Sequence, residues 1–102
     1  MGKSAMNRAE FEADARREGY EIREGKIEPN VHREPHVHDW DARLFLQEGA
    51  LTLVRGSGRE TFGPGDSCSL AANTPHEEHT EADGVRYVAA ARRTVAQAAS
   101  AQ

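Results

Sequence analysis

The chain has little of what usually builds a core. Its 102 residues include only one Trp, two Tyr and three Phe, and Leu, Ile, Val and Phe together number 16. A large-apolar share below roughly 20% raises the question of disorder, but that criterion also asks for a high net charge. Here 13 basic residues face 17 acidic ones for a net charge of −4. That balance argues against a wholly disordered chain, and 102 residues suit one domain with one core. No apolar run approaches the ~20 residues a membrane-spanning helix needs, and no charged-then-apolar leader is expected. The opening Met1-Gly2-Lys3-Ser4-Ala5-Met6 lacks the Ser or Thr of a myristoylation signal, since Met6 stands there. Without a basic patch to neutralise phosphates, nucleic acid is excluded as the expected partner. One cysteine, Cys68, forms no intrachain disulfide, which fits a reducing cytoplasmic setting.

What is present is concentrated. Leu44, Phe45, Leu46, Leu51, Leu53, Val54, Phe62 and Leu70 fall within 44–70, and all five histidines flank that stretch. Ahead of it, Asn7 followed by Glu10 reads as an N-cap with a capping-box partner, and Gly19 as a left-handed C-cap. A short helix over 7–18 is therefore predicted, with Phe11 and Ala15 forming a narrow apolar stripe. Tyr20-Glu21-Ile22-Arg23 alternates like a half-buried strand. Further strands are expected at 36–39, 42–47, 50–55, 59–62, 67–71, 76–80 and 84–91. They are separated by Gly- and Pro-containing turns such as Gly63-Pro64-Gly65-Asp66 and Asn73-Thr74-Pro75. The expected organisation is a helix and leader at 1–19, a β domain at 20–94, and a mobile alanine-rich tail at 95–102.

The histidines carry the chemistry. His36 and His38 are one residue apart in an extended stretch, so alternation turns both imidazoles to one face with Cα atoms about 7 Å apart. That spacing lets two ring nitrogens share one ion at ~2.0–2.1 Å. His76 follows a Pro-containing turn and offers a third ligand. His32 reads as a rim residue, and His79, three after His76, faces the opposite way on a strand. Leu44, Leu46, Leu51 and Leu53 are expected to face inward, and Arg43 and Arg55 to be outward and solvated. Trp40, Leu44, Leu46 and Cys68 are candidates to line a pocket, and Asp66 to close a turn.

On these residues, about 30–91 of the chain resembles the small single-domain cupins. Their first motif has the form G-x5-HxH-x3,4-E-x6-G, which His36, His38 and Gly49 match at its histidines and last glycine. Their second has the form G-x5-PxG-x2-H-x3-N, matched by Gly65 and His76. Ala42 stands at the glutamate, Asn30 at the first glycine, Ala71 at the proline, Asn73 at the turn glycine and Thr80 at the asparagine. The resemblance implies an all-β double-stranded β-helix, a jelly-roll barrel, carrying one divalent transition metal (Fe, Mn, Ni or Zn). His36, His38 and His76 are the implied ligands, with Asp41 a further candidate in place of the missing glutamate. It also implies a small-molecule ligand and a homodimer, with the helix or strand 20–27 available to a partner. Three functions remain open: a three-histidine, dioxygenase-like enzyme on a small chelating substrate, a binding or sensing module without turnover, or a scaffold with a vestigial site.

Overall fold

The computed structural model describes residues 7–93, and the expected tail at 95–102 lies outside them. Helix α1 (Arg8–Arg17) begins at the expected capping box: Asn7 Oδ1 accepts from the Glu10 N–H at 2.8 Å, and Glu10 Oε1 from the Asn7 N–H at 3.1 Å. It ends where Gly19 takes φ +86°, letting the Gly19 and Tyr20 amides donate back to Arg16 and Ala15.

Eight strands follow: β1 (Glu21–Ile27), β2 (His32–His36), β3 (Trp40–Gly49), β4 (Leu51–Arg55), β5 (Gly58–Phe62), β6 (Ser67–Leu70), β7 (His76–His79) and β8 (Val85–Arg93). They pair antiparallel as two four-stranded sheets, β1-β8-β3-β6 and β2-β7-β4-β5. The described residues are thus mostly β with one short helix. The expected strand at 36–39 is displaced: β2 ends at His36, so the His36–His38 pair straddles its end.

The scarce large residues are used on both faces of the first sheet. Ile27, Leu46, Leu51, Leu53, Phe62, Leu70 and Val85 form the main core, with Ala42, Leu44, Cys68 and Tyr87 packed against it. On the other face Phe45, Val88 and Ala90 receive Phe11 and Ala15 of α1, with the Phe11 and Phe45 ring centroids 5.6 Å apart. Period-2 alternation along β3 explains the split, since Leu44 and Leu46 point one way and Phe45 the other. Burying each Leu or Phe is worth about 1.5–3 kcal/mol, so few suffice when nearly all are enclosed.

Arg43 is not simply solvated. Its guanidinium lies 3.0 Å from Asp14 Oδ2 and 5.5 Å from the ring centroids of both Phe11 and Tyr20, closing over the helix seam. Arg55 likewise donates to the Ser69 carbonyl at 2.9 Å. Asp66 closes its turn by accepting from the Gly63 N–H at 2.8 Å.

Candidate metal centre

The β2–β7 ladder builds the site. Arg33 stands opposite Glu78 and His36 opposite His76, with a register shift between Arg33 and His36. Two residues on β2, Glu34 and Pro35, thus oppose one on β7, Glu77, which is a β-bulge. The extra residue returns His36 to the face that Arg33 occupies. Pro35 is tolerated there because bulges and edge strands spare its missing N–H. On β7, alternation puts His76 and Glu78 on one face. Glu78 pairs with Leu53 of β4, a core residue, so that face is the inner one.

His36, His38, His76 and Glu78 each offer a ligand atom, and these atoms all lie within 4.8 Å of one another. The ring centroids are 4.3 Å apart for His36–His76, 5.0 Å for His36–His38 and 5.1 Å for His38–His76. The His36 Nδ1–H donates to the Glu34 carbonyl at 2.8 Å, and the His76 Nδ1–H to the Thr74 carbonyl at 2.9 Å. A carbonyl only accepts, so Nδ1 carries a proton in each ring, and in the neutral imidazole Nε2 is then the atom that offers a lone pair. Burial, and then the neighbouring His76 and His36, push His38 below its ordinary pKa, favouring the neutral imidazole that coordination requires.

Glu78 is oriented from behind. Arg33 Nη1 holds Oε1 at 3.1 Å, leaving Oε2 to face His76 Nε2 at 3.4 Å and His36 Nε2 at 3.9 Å. Even so, the buried His76 Nε2 makes no hydrogen bond. A buried lone pair without a donor is costly unless something fills it, and a cation between these four groups does so. Three neutral imidazole nitrogens and one carboxylate suit Mn, Fe, Ni or Zn. The residues present therefore fit a divalent transition metal.

The loop after β6 is tied to the histidine segment. Asn73, at φ +63°, donates its N–H to the His38 carbonyl at 2.7 Å, and Ala72 donates to Asp41 Oδ1 at 2.8 Å. Asp41 Oδ2 faces Arg92 at 3.3 Å, so both its oxygens serve this tie and the structure does not bring Asp41 into the ligand group. Trp40 lies at the rim, 39% exposed, and stacks on His38 at 4.6 Å and 21°. Leu44 and Cys68 face each other across the β3–β6 ladder and pack with the fully buried Leu46 in the core. Burial pushes the Cys68 thiol up to about 12, so it is a neutral group there. Tyr87 packs against the same core, and burial followed by Glu78 raises its phenol, which keeps its proton.

The sequence shows Glu77 and Glu78 after His76 without placing either in the pocket, and Arg33 and Tyr87 were not singled out. The signal for Glu78 was available: two residues after His76, it shares that residue's face. His32 and His79 lie together on the opposite face of the same ladder, as His79's spacing predicts.

The cupin domain model matches residues 23–89, which cover both histidine motifs. The chain belongs to the cupin family. Among solved structures, the cupin is similar to the polyketide cyclase RemF from Streptomyces resistomycificus, at 27% identity and a TM-score of 0.62 over 71% of this chain. It is also similar to a cupin-2 domain protein from Shewanella frigidimarina, at 18% identity and a TM-score of 0.61 over 70% of the chain. A third is the oxalate decarboxylase of Bacillus subtilis, a protein with Mn(II) centres, at 14% identity and a TM-score of 0.64 over 78% of the chain. The chain spans 53% of RemF, 68% of the Shewanella protein and 23% of the decarboxylase. No curated protein matches it. No helix among the described residues is long and apolar enough to cross a membrane.

Proposed function

We propose that this cupin is a metal-dependent enzyme that binds a small β-dicarbonyl substrate on one divalent transition metal held by His36, His38, His76 and Glu78. The observation that carries this reading is the buried, unpartnered His76 Nε2 facing a cluster of two further imidazoles and a carboxylate. A bound metal supplies Lewis acidity, stabilising enolate charge on a chelating pair of oxygens.

The chain's own residues do the rest. The carbonyls of Glu34 and Thr74 hold the His36 and His76 rings in the ligating tautomer, and Arg33 fixes the Glu78 carboxylate. Trp40, stacked on His38 and partly exposed, offers apolar contact at the mouth. The Tyr87 phenol keeps its proton and so remains a donor on the core side.

Glu78 bears on the reaction type. A three-histidine set in six-position geometry leaves room for a bidentate substrate and dioxygen together. A fourth protein donor leaves two positions, enough for the chelate alone. This favours a redox-neutral enolisation or ring closure over the dioxygenase-like reaction expected from the three histidines, and the similarity to a polyketide cyclase at 27% identity points the same way. A binding or sensing role without turnover is the second reading. Its support is the open mouth, where His36 and His38 are only half-buried. The assembly we propose is a cytoplasmic homodimer. The apolar stripe of α1 is spent on its own sheet, which leaves the edge strand β1 for a partner.

The test is metal analysis of untagged protein, then titration with acetylacetone while absorbance and dissolved oxygen are followed. A stoichiometric divalent metal, an enolate absorbance band and no oxygen uptake are expected. Oxygen consumption with substrate would restore the oxidative reaction, and absence of bound metal after reconstitution would sink the whole reading.

A further inference from the structure

We infer that His32, Glu77 and His79 form a second divalent-metal site, of zinc type, on the outer face of the β2–β7 pair. The strand that sends His76 and Glu78 inward sends Glu77 and His79 outward, and His32 is the cross-strand partner of His79. His32 Nε2 and His79 Nε2 lie 3.1 and 3.0 Å from the same oxygen, Glu77 Oε1. The three ligand atoms lie within 4.8 Å of one another. Zinc at ~2.0–2.2 Å from each donor sets neighbouring donors about 3.3 Å apart in a tetrahedron, so the nitrogens need only move a few tenths of an ångström from the carboxylate.

The two rings stack with centroids 3.9 Å apart and must splay slightly. Each Nε2 also exchanges its proton for a lone pair, which the Nδ1–H tautomer of a neutral imidazole supplies. Two histidines and one glutamate are a donor set that zinc takes with a position left open. Side-chain exposures of 55% for His32, 28% for Glu77 and 19% for His79 leave water access to that position.

The site also has a structural consequence. β2 is an edge strand of its sheet and among the described residues pairs only with β7, yet it carries His36. An ion held by His32 on β2 and by Glu77 and His79 on β7 clamps that edge strand from behind the inner centre.

The experiment is equilibrium dialysis of untagged protein against zinc chloride, comparing the parent chain with His32→Gln and His76→Ala. His32 is exposed, so its replacement spares the core, and circular dichroism checks both variants. Two bound equivalents in the parent chain and one in His32→Gln, or an at least tenfold weaker second equivalent there, support the outer site. One equivalent in the parent that His32→Gln removes and His76→Ala keeps also supports it, while counting against the inner centre. Two equivalents undiminished in His32→Gln, or one that only His76→Ala removes, overturn it, as does binding of none.

Discussion

Arg33 and Glu78 stand directly across the β2–β7 ladder, with Nη1 3.1 Å from Oε1, and this contact decides which carboxylate oxygen faces the histidines. A freed Glu78 would rotate, and a residue that orients a ligand typically matters 10–100-fold in metal affinity. Arg33→Ala should therefore weaken binding of the inner metal by about 10–100-fold, and Glu78→Gln should weaken it at least as much. Competition against a chelating indicator measures both. Unchanged affinity in Glu78→Gln would remove the carboxylate from the ligand set.

Metal binding should also appear as stability. A ligand that binds only the folded state at 100 times its Kd contributes about 2.7 kcal/mol. For a domain of this size that is a rise in Tm of roughly 10–20 °C. The rise should be reversed by a chelator and absent in His76→Ala. Carrying His32→Gln in both proteins keeps the outer group out of the comparison. An equal rise in both proteins, followed by scanning calorimetry, would show that His76 is not a ligand.

Most strand segments and turns were legible because Gly, Pro and Asn punctuate short alternating segments. Asn30 and Asn73 illustrate this. They stand where the cupin motifs have glycine, and they are the only non-glycine residues among those described with positive φ, at 57° and 63°. Asn tolerates that conformation better than most residues, so both turns form without glycine. The histidine pair was legible from spacing alone. Arg33 was not, because the bulge at Glu34-Pro35 inverts the parity between positions 33 and 36, and bulges leave no fixed mark in a sequence. Asp41 was the natural stand-in for a carboxylate missing at position 42. Its engagement by Ala72, 31 positions away, is a tertiary contact that no local pattern encodes.

Cys68 gives a test of core burial. Burial moves its thiol from 9.0 to about 12. The thiolate fraction at pH 8 should then be about 1,000-fold lower in the folded chain than in the unfolded one. Ellman's reagent should react slowly with the native protein and rapidly in denaturing urea, and a native rate within tenfold of the unfolded rate would place the thiol in water. The linkage has a definite sign. A raised folded pKa favours folding below pH 9.0, and that contribution is lost as pH climbs toward about 12. Denaturation midpoints should accordingly fall above pH 9 in the parent chain, and fall less in Cys68→Ala.

Gly49 ends β3 with φ +79°, and a Cβ placed on it would lie 2.1 Å from the Gly84 carbonyl oxygen. That carbonyl also accepts the Ala50 N–H at 3.1 Å, so it cannot swing away without losing the bond that starts the next strand. Two costs therefore combine in Gly49→Ala. The left-handed conformation costs an alanine roughly 1–2 kcal/mol, and relieving the clash shifts backbone beside Val85, a core residue. A total loss of about 2–4 kcal/mol is expected, the range seen when steric strain meets a packed core. Gly63 is the control, because a Cβ there meets nothing within 4 Å and its φ is not in the left-handed region. Urea titration of both variants should show Gly49→Ala severely destabilised and Gly63→Ala within about 0.5 kcal/mol of the parent chain. Equal midpoints would mean that the close approach of Gly49 to Gly84 is not a feature of the folded protein in solution.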